Sequence, residues 1–197
     1  MKKVFIAIFI IFFYINSTST FSKSISDIVE IKLLDNLDDE RGFCIDIRGH
    51  KYKAKIKKGL QAHTCYSYQG MISVDQGLDF EEFKFKKLFF PHFDVCVNST
   101  NVKSSSILSL IKCHNAQEFE FNLDNTIRLR KNSSLCLTVA NEDSKNGGGG
   151  SPVHLIRNLS LEACSEENSI YQTWGVRRFM NGSIFLEKIS NYFEDVN

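Results

Sequence analysis

The six cysteines of this sequence could form disulfides or bind a metal ion, and their spacing helps to decide between the two. They form three ordered pairs along the chain: Cys44 and Cys65, Cys96 and Cys113, Cys136 and Cys164. An even number of cysteines is typical of disulfides formed in an oxidising compartment, although six cysteines allow fifteen connectivities. If each pair closes its own loop of about 17 to 28 residues, each bridge contributes roughly 3 kcal/mol on loop-entropy grounds. A zinc site is the alternative, but the sequence lacks Cys-x-x-Cys and His-x-x-x-His spacings.

Catalytic chemistry has little support in the sequence. The five histidines are scattered, and pairing of every cysteine leaves no nucleophilic thiol. Gly-x-Ser-x-Gly, His-Glu-x-x-His and phosphate-loop motifs do not occur. The acidic runs at 38–40 and 81–82 are more typical of surface charge than of an acid/base pair. We therefore expect a protein that is not an enzyme and that needs no metal or cofactor.

A basic segment offers a second kind of chemistry. It contains, without any acid, Arg48, Lys51, Lys53, Lys55, Lys57 and Lys58, in a chain whose net charge is only +1. Lysines alternate with uncharged residues from 51 to 58, which predicts a strand with one basic face. Such a face suits an anionic partner, for example a sulfated or sialylated glycan, an acidic polysaccharide or anionic lipid headgroups. The alternative is a solvated strand whose lysines only discourage edge pairing.

The first 22 residues are typical of a secretory signal peptide. Lys2 and Lys3 precede an apolar run from 4 to 15, and a stretch of small polar residues follows. Twelve apolar residues span about 18 Å as a helix, less than the roughly 30 Å of a bilayer core, so an uncleaved membrane anchor is the weaker alternative. We expect a secreted, extracellular protein with no transmembrane segment after cleavage, for which nucleic acid is a poor partner.

The elements that would position these residues are short strands. Turn signals recur every eight to twelve residues, and an amphipathic helix of four turns is missing, which predicts an all-β domain. Each cysteine pair is followed by a glutamine-x-hydrophobe triplet: Gln69-Gly70-Met71, Gln117-Glu118-Phe119 and Gln172-Thr173-Trp174. Three such units fit a threefold barrel capped by hairpins, whereas a propeller needs at least four blades.

Other segments carry more local predictions. The phenylalanine-rich run 80–93 has the alternation of a strand at Phe83, Phe85 and Phe89. Gly147 to Gly150 predict a mobile, exposed loop. Residues 190–197 are expected to be a frayed tail.

These motifs resemble those of ricin B-type lectin domains. The similarity rests on Cys44-Ile45-Asp46-Ile47-Arg48, on Leu135-Cys136-Leu137-Thr138-Val139 and on Tyr171-Gln172-Thr173-Trp174. It implies a single β-trefoil over residues 23–189, with repeats at about 28–77, 78–122 and 123–186, that binds carbohydrate without catalysis. It also implies that Met71, Phe119 and Trp174 are equivalent core residues, and that Gln69, Gln117 and Gln172 tie strand and loop backbone together.

The resemblance also implies where a sugar would bind. In the first repeat Asp46 would accept bonds from sugar hydroxyls, Gln61 and Gln69 would position the ring, and His63 or Tyr68 would stack on it. A weaker second site would use Asn98 and His114, and the third repeat has Thr138 and Glu162 at the corresponding positions. We therefore expect weak binding of glycans or glycoproteins through the first repeat. The alternative is a trefoil without sugar binding that serves as an attachment subunit for a partner chain, in a secreted toxin or a cell-surface coat, through the basic segment or the phenylalanine-rich run.

Overall fold

A computed structural model describes residues 28–192, so the signal segment 1–22 and the last five residues of the expected tail lie outside it. Between residues 28 and 192 the chain is built from strands, short 3-10 turns and one α-helical turn, α1 (Ser169–Gln172). This confirms the all-β prediction. No helix in this part of the chain has the length and hydropathy needed to span a bilayer.

Fifteen strands lie between residues 28 and 192. They are β1 (Ile28–Leu33), β2 (Phe43–Ile47), β3 (Leu60–Thr64), β4 (Leu78–Asp79), β5 (Phe89–Phe90), β6 (Val95–Ser99), β7 (Ser106–Ile111), β8 (Phe119–Phe121), β9 (Ile127–Leu129), β10 (Asn132–Val139), β11 (Lys145–Asn146), β12 (Leu155–Arg157), β13 (Leu159–Ala163), β14 (Trp174–Met180) and β15 (Ser183–Lys188). All of their pairings are antiparallel. One sheet has the order β11-β12-β3-β2-β1-β14-β15 with β4 also paired to β1, and the other has the order β5-β6-β7-β13-β10-β9-β8.

Three strand pairs, β2–β3, β6–β7 and β10–β13, are built alike. In each pair one cysteine lies in the first strand and its partner follows the second strand, so that the disulfide closes the open end. The bridges are Cys44–Cys65, Cys96–Cys113 and Cys136–Cys164, with Cα–Cα distances of 5.0, 4.9 and 5.1 Å. The predicted pairing within each repeat is confirmed.

A seam between the beginning and the end of the described chain closes the first sheet. Strand β1 pairs with β14 from Val29 opposite Arg178 to Leu33 opposite Trp174. Glu30 and Arg177, opposite each other in this register, form a buried ion pair with an N–O distance of 2.9 Å. Because an uncompensated buried charge is costly, this pair favours the observed register. All three hairpins contribute aliphatic side chains to a single core beneath the seam.

A glutamine clip fastens the third hairpin to this core. The Gln172 amide nitrogen donates to Thr138 Oγ1 and to the carbonyl of Ala163, both at 3.0 Å, and its oxygen accepts from the Ser165 amide. Two residues later Trp174 is fully buried and donates from its indole nitrogen to the carbonyl of Leu137. Every polar atom of the clip therefore has a partner, as burial requires.

The first hairpin has the same clip, but at Gln76 and not at Gln69. Gln76 donates to Asp46 Oδ2 at 3.2 Å and to the Thr64 carbonyl at 3.1 Å, and it accepts from the Tyr66 amide at 2.8 Å. These partners hold the same places relative to the two cysteines as those of Gln172. Leu78 is the buried residue two positions on, whereas Met71 is 61% exposed. The expected roles of Gln69 and Met71 are therefore wrong and belong to Gln76 and Leu78.

The second hairpin keeps only part of the clip. Phe119 is fully buried, as expected. Its neighbour Gln117 accepts no hydrogen bond at its buried side-chain oxygen, and the contact to the hairpin runs from the Gln117 backbone amide to Asn98 Oδ1 at 3.1 Å. The role expected of the Gln117 side chain is thus taken over by its backbone.

Two predicted strands are absent from the described chain. The basic segment forms two 3-10 turns, Lys51–Lys53 and Ile56–Lys58, because the chain reverses between Gly49 and Gly59, both of which have positive φ. Within the phenylalanine-rich run 80–93, Glu81–Phe85 form a 3-10 turn that contains Phe83 and Phe85, and the only strand is β5. The segment expected to fray begins with residues of a further 3-10 turn, Ile189–Tyr192.

Replacing Gln76 should cost much more stability than replacing Gln69. Gln76→Leu leaves the Tyr66 amide and one Asp46 oxygen without a partner and removes one of the two donors to the Thr64 carbonyl; an orphaned buried polar group costs roughly 1–3 kcal/mol. We expect Gln76→Leu to lower the free energy of unfolding by about 3 kcal/mol and Gln69→Leu, at an exposed position, by less than about 0.5 kcal/mol. Urea denaturation of the two variants measures both values, and equal losses would refute the reassigned clip.

Candidate functional site

A cleft of about 600 Å³ opens where the first and third repeats meet. Strand β12 pairs with β3, placing Ile156 opposite His63 and Arg157 opposite Ala62. The chain before β12 forms the glycine loop, residues 147–150, which lines the cleft together with Gln61 and His63 of β3. The cleft is therefore built from two segments that are almost a hundred residues apart in the sequence.

An aromatic cluster forms one wall of the cleft. His63 lies 4.9 Å from Tyr66 and 5.2 Å from His154 between ring centroids, and Tyr66 and His154 meet edge to face at 5.1 Å. The Tyr68 hydroxyl lies 2.8 Å from His154 Nε2, and Gln69 donates to the same hydroxyl at 2.9 Å. These contacts fix the rings, and of the four only Tyr68 is substantially exposed, at 41%.

The two histidines of this cluster are held neutral. Burial lowers the pKa of His63, and this effect outweighs the bond to the Thr64 carbonyl and the Asp75 carboxylate, which raise it. The charge of Arg41 lowers the pKa further. Burial also lowers the pKa of His154, with Arg41 as the next cause. His63 Nδ1 lies 2.7 Å from the Thr64 carbonyl oxygen, so Nδ1 carries the proton and Nε2 is an acceptor.

Asp46 lies beneath the cleft and not in its wall. It is 1% exposed, Gln61 donates to its Oδ1 at 2.8 Å, and the Gln76 clip holds its Oδ2. Burial raises the pKa of Asp46 well above its usual value, and the nearby carboxylate of Asp75 adds to the rise. Asp46 is therefore not positioned to accept directly from a ligand in the cleft, because it is buried, does not line the cleft and supports Gln61 and the clip.

Positive charge gathers around the opening of the cleft. Arg48, His50, Lys51 and Lys58 line it, and none of its described lining residues is acidic. Lys51 Nζ lies 5.5 Å from the centroid of the Tyr66 ring, within the range of a cation–π contact. The Lys51 backbone, at φ 46°, donates its amide hydrogen to Asp75.

The guanidinium group of Arg48 is already partly engaged. Its Nε donates to the Leu60 carbonyl at 2.9 Å and its Nη2 to Asn158 Oδ1 at 3.0 Å. Arg48 therefore holds its positive charge in a fixed position, while the flexible side chains of Lys51 and Lys58 can move their ammonium groups toward a ligand.

The glycine loop is held in place by a clamp from the first repeat. Arg41 donates to the carbonyls of Pro152 and Val153 at 2.9 and 2.8 Å while bound through its other side to Asp39. Gly150 has φ 80°, and a Cβ there would approach the His154 ring to 2.7 Å. The loop is exposed as expected, but its end is fixed against the aromatic wall.

The structure assembles part of the predicted sugar site. It brings Gln61, His63 and Gln69 into the cleft together with Arg48 and Lys51 of the basic segment, and it places Tyr68 beside them through His154. The remaining lysines of the segment, Lys53, Lys55 and Lys57, are exposed. Two predicted surfaces thus meet in one cleft.

The predicted second site does not show this convergence. The Asn98 side chain accepts from the Gln117 amide and donates to the Ser99 carbonyl, so its role is structural. His114 lies exposed in the 3-10 turn Cys113–Asn115.

Sequence reasoning missed the contribution of the third repeat to the cleft. His154, Ile156 and the glycine loop arrive through the pairing of β12 with β3. The only signal in the sequence was the run of glycines itself, which indicates a loop but not its neighbour. Tyr66 and His50 were also missed, since both depend on how the turns around them are folded.

The neutral histidines should make stability depend on pH in a defined window. Because folding lowers the pKa of His63 and of His154, the unfolded chain binds these protons more readily. Their stabilising contribution is therefore complete above the unfolded pKa of about 6.5 and is lost as pH falls through the lower folded values. We expect unfolding free energy to drop more between pH 7 and pH 5 in the wild type than in His63→Gln/His154→Gln, as measured by urea denaturation.

The exposed pair His92 and His114 provides the control for this measurement. His92→Gln/His114→Gln should follow the wild type through the same pH range. If both double variants flattened the profile equally, the buried histidines would not be its cause.

Comparison with known proteins adds no family assignment. A scan against models of protein families gives no match, and a search of curated proteins gives no match either. What the cleft binds is therefore inferred from its own side chains.

Proposed function

We propose that this protein is a secreted carbohydrate-binding protein that takes an acidic saccharide in the cleft between its first and third repeats. The proposal includes a β-trefoil fold similar to that of ricin B-type lectins. Three disulfide-closed hairpins, the matching clips at Gln76 and Gln172, and the β1–β14 seam support that fold. Secretion is supported by the three bridges, because disulfides persist in oxidising compartments.

The charge of the cleft carries the proposal. Arg48, Lys51 and Lys58 surround a concave site whose described lining contains no carboxylate. A carboxylate or sulfate placed there gains charge-assisted hydrogen bonds, which are about twice as strong as neutral ones. A neutral sugar would gain hydrogen bonds to these cations but no attraction between opposite charges, and a cation would be repelled.

The rest of the lining favours a saccharide over a bare anion. Gln61 and Gln69 offer amide groups for hydroxyls, and the largely buried rings of His63 and Tyr66 line the same space. The Tyr68 ring beside them is 41% exposed and would provide apolar surface for the C–H face of a pyranose. His63 Nε2 can accept from a hydroxyl because the opposite ring nitrogen is bonded to Thr64. The arrangement holds a ligand and orients it, and we propose binding without a reaction.

The positions of Lys51, Lys58, Gln61 and the aromatic wall suggest distinct roles in binding. Lys51 and Lys58 would neutralise the acidic group, Gln61 would bind hydroxyls from its support on Asp46, and the aromatic wall would exclude water from one ring face. Because Gln61 donates to a buried carboxylate, its orientation is fixed before the ligand arrives, which lowers the entropic cost of binding.

Neutralising the two lysines of the cleft should abolish selectivity for acidic glycans. On an array of neutral, sialylated, uronate-containing and sulfated glycans we expect the wild type to bind acidic members. We expect Lys51→Gln/Lys58→Gln to weaken that binding at least about tenfold, or about 1.4 kcal/mol. Binding should also weaken as salt is raised, because these charges are accessible to solvent.

The matched control removes the same amount of charge elsewhere. Lys103 and Lys131 are exposed in other loops, and Lys103→Gln/Lys131→Gln should leave the array signal unchanged. Equal losses in both double variants would point to nonspecific attraction. Capture of neutral glycans alone would overturn the assignment of an acidic ligand.

A further inference from the structure

The cleft does not end at Arg48. A narrow channel of about 90 Å³ continues from it, and Arg48 and Ile156 line both spaces. The channel in turn shares Ala140, Glu142 and Asn158 with a recess of about 470 Å³ in the third repeat. The cleft, the channel and the recess therefore form one groove across this face.

The hydrogen bond between Arg48 and Asn158 lies where the groove passes from the first repeat to the third. Arg48 Nη2 donates to Asn158 Oδ1 at 3.0 Å, which joins a residue of the first repeat to the turn between β12 and β13. Along this wall the chain runs extended from Ile156 to Glu162, six residue steps that cover about 20 Å. A single pyranose ring is much shorter than this wall.

The far end of the groove has a different chemistry from the cleft. The recess is lined by neutral polar groups, among them Asn141 and Asn168, by the half-buried ring of Tyr171 and by the side chains of Glu142 and Glu162. Amides suit hydroxyl groups and an aromatic ring suits the C–H face of a sugar. The recess therefore suits an uncharged sugar.

Glu162 makes the far end unfavourable for a second acidic group. Although partial burial raises its pKa, hydrogen bonds from Ser104, Ser160 and Ser105 outweigh burial and hold the pKa of Glu162 below its usual value. Ser104 Oγ and Ser160 Oγ each donate to it at 2.6 Å. Glu142 and Asp143 line the adjoining channel together with Arg48, Lys145 and Arg157. Among the described lining residues, the charge thus changes from cations without acids in the cleft to acids without cations in the recess.

We infer that the ligand is an oligosaccharide with one acidic sugar at one end and neutral sugars behind it, lying along the whole groove from the basic cleft to the recess. This inference rests on the proposed function of the cleft, and it adds the length of the binding site and its selectivity for charge. Uniformly sulfated chains would be attracted at one end and repelled at the other. The groove thus selects for a single terminal charge.

The test compares ligands of different length and charge by isothermal titration. The probes are methyl glucuronide, a heparin trisaccharide and two further trisaccharides. Each of these two contains one glucuronate and two neutral hexoses, with the glucuronate at the reducing end in one and at the non-reducing end in the other. We expect one of the glucuronate trisaccharides to bind at least tenfold more tightly than methyl glucuronide. Tyr171→Ala should remove this gain while leaving the affinity for methyl glucuronide unchanged, and Tyr171→Phe should keep most of it.

Charge at the far end is tested with Glu162→Gln. This variant should bind the heparin trisaccharide more tightly than the wild type does, since it removes the repelling carboxylate and keeps the side-chain shape. Its affinity for methyl glucuronide should not change. An unchanged affinity for heparin would overturn the proposed selectivity.

The outcomes separate the groove from the cleft. If methyl glucuronide binds, is lost in Lys51→Gln/Lys58→Gln, and the trisaccharides bind no more tightly, the groove inference fails while the proposed function stands. A gain that survives Tyr171→Ala also overturns the groove inference. If no probe shows binding that depends on Lys51 and Lys58, the proposed function fails and the groove inference fails with it.

Discussion

A buried glutamine amide must satisfy both of its ends, and at Gln76 and Gln172 it does so with the same three kinds of partner. Each amide bridges the side chain two residues after the first cysteine, the carbonyl before the second cysteine and the amide after it. The disulfide alone joins two backbone points, and the clip fixes the orientation of the hairpin against the buried residue two positions on. In the first repeat this bond network also supports Gln61 through Asp46, so the floor of the cleft depends on it.

The proposed binding surface lies where the first and third repeats meet, and the repeats do not contribute equally. The first repeat supplies the floor, the aromatic rings and most of the cations, and the third supplies His154 and the glycine loop. The second repeat has its counterpart amide, Asn98, engaged with Gln117, and it contributes to the groove chiefly through Ser104 at the far end. Divergence among three similar hairpins thus leaves one asymmetric groove.

Features that depend on neighbouring residues could be predicted from the sequence, and features that depend on distant pairing could not. The cysteine pairs are close in the chain, so their local closure and the all-β class were accessible. The clip of the first repeat was assigned to the wrong glutamine because Gln69-Gly70-Met71 and Gln76-Gly77-Leu78 have the same pattern of residue types, and only burial distinguishes them. The lysine alternation indicated a strand because a period of two says nothing about the positive φ angles that turn the chain between Gly49 and Gly59.

The seam between β1 and β14 has a consequence for how the chain is made. Every disulfide closes within its own repeat, so each bridge can form as soon as that repeat has left the ribosome. The edge of β1 that pairs with β14, in contrast, stays unpaired until β14 has been synthesised, and β14 begins only at Trp174. A premature stop just before Trp174 would yield a product with all six cysteines bridged but with an open strand edge, the kind of surface that templates aggregation. Complete oxidation of the nascent polypeptide is therefore a poor indicator that β1 has paired with β14.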